Sequence, residues 1–100
     1  MIYAIVAEYT DGHTAVQYVD QKAVPATRDN PCFLSCIDER QNVLFIEYAQ
    51  AIHPERKHRP VDRGIVEIPL EGAKAVTVHN TDEIGGVYDT TPIRVFLPNS

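Results

Sequence analysis

The sequence lacks the features that mark membrane-spanning, fibrous and disordered proteins. None of its apolar runs approaches the roughly 18 residues of a membrane-spanning helix. The apolar segment 2–9 has no basic region before it and reaches Glu8 too early for a signal peptide. With 44% hydrophobic and 23% charged residues, the composition excludes wholesale disorder, collagen and coiled coil. We therefore expect one globular domain over residues 1–100, located in the cytoplasm.

Signatures of common catalytic and nucleotide-binding sites are also missing. The only serines are Ser35, inside a predicted strand, and Ser100, the last residue, and neither position suits a Ser-His-Asp triad. No phosphate-binding loop, dinucleotide-binding fingerprint or EF-hand calcium loop occurs. The paired carboxylates at 38–39 and 82–83 fall in predicted turns, where acidic residues are favoured by solvation. The sequence therefore predicts a protein that is not an enzyme and that needs no cofactor.

What the sequence does contain is a succession of short β-rich segments separated by turn signals. The predicted strands are 2–9, 14–19, 32–37, 43–48, 65–68, 75–79 and 93–97. For residues 42–52, a buried helix capped by Asn42 is the alternative, but the β-branched and aromatic content favours a strand. The pattern predicts an all-β protein, a small antiparallel barrel or sandwich of six to seven short strands with at most one short helix.

The first two segments form the clearest hairpin. Asp11-Gly12 is the dipeptide that a two-residue type I′ turn requires, because both of its residues tolerate positive φ. That turn pairs residues whose numbers sum to 23. It also places Tyr3, Tyr9 and Tyr18 on one face, as core packing or as a surface that binds a partner.

The charge of the chain is unevenly distributed. The segment 53–63 holds four of the nine Lys/Arg residues against two acidic ones, a local charge of +2, which leaves −7 for the rest of a chain of net charge −5. Prolines at both ends make it a predicted exposed loop. Its cations, Arg56, Lys57, Arg59 and Arg63, are the predicted contact for an acidic protein surface, because the acidic body repels nucleic acid.

Two cysteines and two histidines suggest a zinc site as an alternative. Cys32, Cys36, His53 and His58 follow the order of a classical zinc finger. The gap between the two pairs is longer than the roughly 12 residues of such a finger, and Pro54 breaks the helix that presents its histidines. The sequence therefore predicts no stoichiometric zinc and two buried free thiols in a reducing compartment.

Taken together, these patterns predict a non-enzymatic protein-interaction module. We expect another protein, or a second copy of the chain, as its partner. It would act as a subunit of a larger assembly, for example a viral or phage one, or as a small inhibitor. The alternatives are the zinc-binding module and an OB-like nucleic-acid binder that uses the basic loop. No membrane contact is expected.

Overall fold

A computed structural model describes residues 1–22 and 27–97; residues 23–26 and 98–100, including Ser100, lie outside the described part. The described residues form seven strands and no helix, which confirms the all-β prediction. The strands are β1 (Ile2–Tyr9), β2 (Thr14–Asp20), β3 (Leu34–Asp38), β4 (Val43–Ile52), β5 (Val61–Pro69), β6 (Ala73–Thr81) and β7 (Arg94–Phe96).

The strands form two antiparallel sheets that pack as a sandwich. The four-stranded sheet has the order β2-β1-β6-β7, and the three-stranded sheet has the order β3-β4-β5. Between them lies one apolar core to which β1, β4, β5 and β6 all contribute. Since the two sheets stay separate, the described strands do not close into the barrel that an OB-like nucleic-acid binder requires.

Residues 43–52 show why the strand interpretation was correct. Leu44 and Ile46 are at most 2% exposed, whereas Val43 and Phe45, which alternate with them, are only half-buried. A two-residue period of burial is that of a strand with one face on a core, and a buried helix would have enclosed all four side chains.

The described part of the chain contains no helix that is long and apolar enough to span a membrane.

The first hairpin forms as predicted, but its predicted register is wrong by one residue. The loop contains three residues, 10–12: Gly12 donates its N–H to the carbonyl of Tyr9 (3.0 Å), and Tyr9 donates to the carbonyl of His13 (3.0 Å). Only Gly12, with φ of 94°, lies in the left-handed region, and Asp11 does not. The loop is therefore a type I turn followed by a glycine bulge rather than a type I′ turn, and paired residues sum to 22.

The two outer faces of the sandwich differ in what covers them. On the four-stranded sheet, the segment 82–93 folds over the strands. Tyr18 Oη donates to the carbonyl of Gly86 (2.8 Å), and His79 Nδ1 donates to that of Asp89 (2.7 Å). Ala4 and Val6, on this outer face, are consequently at most 4% exposed. The outer face of the three-stranded sheet has no such cover among the described residues.

Candidate interaction surface

An apolar groove runs across the outer face of the three-stranded sheet. The register places Leu34 opposite Glu47 and Glu47 opposite Ile65, so that these side chains share one face. Leu34 is 56% exposed and Ile65 is 59% exposed. The groove measures about 340 Å³, and its lining is mainly apolar. It is lined by Leu34, Ser35, Cys36, Phe45, Glu47 and Ile65, and we call it the apolar groove.

Glu47 is the one charged residue that lines the apolar groove. Its side chain is half-buried. Within residues 1–22 and 27–97 it has no ion pair and no side-chain hydrogen bond. A carboxylate among apolar side chains loses part of its hydration and gains no partner in return. A cation placed over the groove would supply that partner, and the flanking apolar surface would be buried with it.

The basic segment 53–63 is the connection between β4 and β5, and it is held by its own acidic residues. His53 Nε2 lies 2.5 Å from Asp62 Oδ2, and the N–H of His53 donates to the carbonyl of Pro60 (2.5 Å). Arg56 Nη1 lies 3.6 Å from Asp62 Oδ1. The hydrogen bond from His53, followed by the nearby positive charges, lowers the pKa of Asp62.

The four predicted cations are therefore not equivalent. Arg56 is engaged within the loop, whereas Lys57 and Arg59 are exposed with no ion pair in the described part of the chain. Arg63 lies on β5, exposed on the outer face of the three-stranded sheet. Contact of this segment with an acidic partner stays a prediction.

The three tyrosines do not share a face, which corrects the sequence interpretation. With paired residues summing to 22, Tyr18 lies opposite Ala4 on the outer face, while Tyr3 and Tyr9 point into the sandwich. Tyr3 is fully buried against Phe33, and its hydroxyl donates to the carbonyl of Thr27 (2.7 Å). An aromatic surface made of Tyr3, Tyr9 and Tyr18 therefore does not exist. Tyr9 and Tyr18 also donate their hydroxyls to backbone carbonyls, those of Pro69 and Gly86.

The proposed zinc ligands are dispersed. Among the residues the structure describes, no three His, Cys, Asp or Glu side chains gather as metal ligands. His53 is held by Asp62, and His58 is exposed in the loop. Both thiols are free, but the prediction that both are buried was wrong: Cys36 is exposed in the apolar groove, and Cys32 is half-buried.

Sequence reasoning missed the apolar groove, although part of its signal was present. With the register of the structure, the two-residue period of β3, β4 and β5 places Leu34, Phe45 and Ile65 on a single side of the sheet. It does not say which side meets the core. That assignment depends on the packing of two sheets and on the path of segment 82–93, which are not encoded in any local pattern.

The chain matches no protein-family model, no curated protein and no solved structure.

Proposed function

We propose that the chain is a protein-interaction module that binds its partner in the apolar groove. The partner segment carries a Lys or Arg side chain between apolar residues. Its cation pairs with Glu47, and its apolar neighbours cover Leu34, Phe45 and Ile65. The observation that carries the proposal is the Glu47 carboxylate, which lies in an exposed apolar surface and has no ion pair with any residue in the ranges 1–22 and 27–97. Contiguous exposed apolar surface bordered by polar residues is a common feature of protein interaction sites.

Two further observations support this proposal. Segment 82–93 packs over part of the other outer face, so the three-stranded sheet is the less covered of the two in the described structure. The chain also carries a net charge of −5, which attracts a cationic partner over distances of about one Debye length. The two free thiols suit a reducing compartment such as the cytoplasm.

The test uses short synthetic peptides as probes and amide chemical shifts as the readout. Titration with acetyl-Leu-Arg-Leu-amide should shift the amides of β3, β4 and β5 around the groove, whereas acetyl-Leu-Glu-Leu-amide should leave them in place. Replacing Glu47→Gln should weaken the response to the arginine peptide several-fold, because it removes the charge but keeps the shape. Glu71→Gln, at an exposed turn, is the matched control and should bind like the unmodified protein.

Equal responses to both peptides would contradict the proposed recognition. So would shifts that cluster on the basic loop or on the four-stranded sheet. In those cases the apolar groove is not the binding surface for a cationic segment.

A further inference from the structure

Strand β5 is an edge of the three-stranded sheet, and half of its backbone groups point away from β4. Leu70 donates its N–H to the carbonyl of Asn42 (2.9 Å), which lies opposite it in the register. Since hydrogen-bonded and non-hydrogen-bonded pairs alternate in an antiparallel ladder, the even-numbered residues of β5 bond to β4. The odd-numbered residues, including Arg63, Ile65 and Glu67, direct their N–H and C=O groups to the free edge.

Two side chains from the four-stranded sheet confirm this orientation. Tyr9 Oη donates to the carbonyl of Pro69 (2.7 Å), and Gln17 Nε2 donates to that of Glu67 in a long, exposed bond of 3.4 Å. Both acceptors are odd-numbered, as the ladder requires. Tyr9 caps one end of the strand, while the Gln17 bond is weak enough to be exchanged for a main-chain partner.

The same three odd-numbered residues form a stripe of side chains with opposite charges at its two ends. Arg63, Ile65 and Glu67 project from one face of β5, the face that carries the apolar groove. All three are exposed, Ile65 to 59%. Neither Arg63 nor Glu67 has an ion pair in the ranges 1–22 and 27–97. The stripe therefore reads positive, apolar, negative along the strand.

We propose that two copies of the chain dimerise by pairing their β5 strands antiparallel about a two-fold axis through Ile65. In that arrangement Ile65 lies opposite Ile65 of the other chain, and each Arg63 lies opposite Glu67 of the other chain. The three central pairs on this edge are then hydrogen-bonded pairs, so main-chain bonds and side-chain contacts form together. An isologous interface of this kind closes as a dimer and does not propagate.

Charge favours this register over its neighbours. Moving the axis to Gly64 or Val66 would separate Arg63 from Glu67 of the other chain, and moving it to Arg63 or Glu67 would set two arginines or two glutamates opposite each other. Like charges directly opposite each other destabilise a strand pair, whereas opposite charges stabilise it. An exposed edge strand with an apolar residue at its centre is prone to pair with another chain. Here the charges on either side of Ile65 favour pairing with β5 of a second copy.

The dimer makes one six-stranded sheet with the order β3-β4-β5-β5-β4-β3. Its two apolar grooves would then lie side by side on one face, joined at Ile65. This inference goes beyond the proposed function, because the dimer forms without any occupant of the groove. Its failure would leave the groove of a single chain intact.

Charge-exchange variants test the dimer by sedimentation over a range of protein concentrations. The unmodified protein should sediment as a monomer–dimer equilibrium. Arg63→Glu should raise the dimer dissociation constant about tenfold, because it sets Glu against Glu in two symmetric pairs. The double variant Arg63→Glu with Glu67→Arg should restore dimerisation. Arg40→Glu, at an exposed turn, is the control for charge alone and should leave the constant near its original value.

A cross-link tests the register itself. In a background with Cys32→Ser and Cys36→Ser, Ile65→Cys should form a disulfide-linked dimer on mild oxidation. Facing residues of a hydrogen-bonded pair have Cα atoms about 5.5 Å apart, within the range for a disulfide. Val95→Cys, which is 51% exposed on β7 before substitution, is the matched control and should stay monomeric.

A monomer at all concentrations, or an Arg63→Glu variant that the second charge change does not restore, would overturn the proposed interface. Thermal melting of each variant shows whether the fold is retained. Binding of the arginine peptide to the Arg63→Glu variant separates this result from the proposed function. If the Arg63→Glu variant is monomeric and still binds the arginine peptide, the apolar groove does not require the dimer, and the proposed function is kept.

Discussion

The side-chain amide of Gln21 joins the end of β2 to strand β4 of the opposite sheet. Its Oε1 accepts a 2.6 Å hydrogen bond from the N–H of Ala49, and its Nε2 donates to the carbonyl of Pro31 (2.9 Å). Next to it, the N–H of Lys22 donates to the carbonyl of Ala49 (2.8 Å). Gln21 is 2% exposed, so these bonds form away from water and connect the two sheets at one edge of the core.

Replacing Gln21→Ala should lower the free energy of unfolding by about 1–3 kcal/mol, since it leaves the buried N–H of Ala49 and carbonyl of Pro31 without partners. Urea unfolding measures the loss. Gln17→Ala is the matched control, because the Gln17 side chain is exposed and makes only the 3.4 Å bond. Equal losses in the two variants would show that the buried bonds of Gln21 contribute nothing beyond those of an exposed amide.

Gly64 provides a second test of packing between neighbouring strands. A Cβ atom added there would overlap the ring of Tyr48, with the hydroxyl oxygen only 2.6 Å away. The ring is a rigid group, so Gly64→Ala should cost about 1–3 kcal/mol through overpacking. Thermal or urea unfolding measures this cost. Adding Tyr48→Leu should recover part of it, and a double variant no better than the sum of its parts would argue against the contact as the cause.

The turn of the first hairpin gives a prediction that separates the two turn types. Asp11 Oδ1 accepts a 3.0 Å hydrogen bond from the N–H of His13, and the φ of Asp11 lies outside the left-handed region. Asp11→Gly should therefore destabilise the protein, since it removes this bond and adds backbone freedom. Gly12→Ala should cost about 1 kcal/mol or more, because Gly12 has φ of 94°. In a type I′ turn, Asp11→Gly would instead be stabilising. The sign of its effect on the melting temperature therefore distinguishes the two turn types.

The sequence predicted which segments are strands more successfully than how they pair. The β-branched and aromatic content of β4 and the β-rich run of β1 are local properties, and both strands were identified from them. The hairpin register depends on whether Asp11 takes a positive φ, a choice that Asp-Gly leaves open. That single choice moved Tyr18 to the other face of the sheet.

The exposure of Cys36 was beyond sequence reasoning for a different reason. Its apolar neighbours suggested burial, but β3 is an edge strand and Cys36 lies on the outward face of a three-stranded sheet. Burial is decided by contacts between residues distant in sequence, namely which faces of the two sheets meet. For this reason the sequence did not indicate the outward face that carries Leu34, Phe45 and Ile65.

We predict that the purified chain carries well under one zinc ion per molecule and that chelators leave its fold unchanged. The ring of His53 is hydrogen-bonded to Asp62, and in the described part of the chain no three side chains that could bind a metal lie close together. Elemental analysis after purification without chelator, together with melting curves in the presence and absence of EDTA, measures both. One equivalent of zinc whose removal unfolds the protein would reject this prediction and favour the zinc-binding alternative.

Acid should weaken the basic loop through Asp62. The hydrogen bond from His53 is the main cause that lowers the pKa of this carboxyl in the folded protein. A group whose pKa is lower in the folded state contributes stability above its unfolded pKa, about 3.9 for Asp, and loses that contribution as the pH falls through its folded pKa. Asp62→Asn should therefore be less stable than the unmodified protein at neutral pH, and the difference should shrink below pH about 4.

Urea unfolding between pH 7 and pH 2 measures this difference in stability, with the exposed Glu39→Gln as control. Asp11 and Asp20 also have lowered pKa values, so the variant should retain part of the acid sensitivity. Parallel stability curves for Asp62→Asn and the unmodified protein over the whole pH range would show that the His53–Asp62 pair does not stabilise the loop.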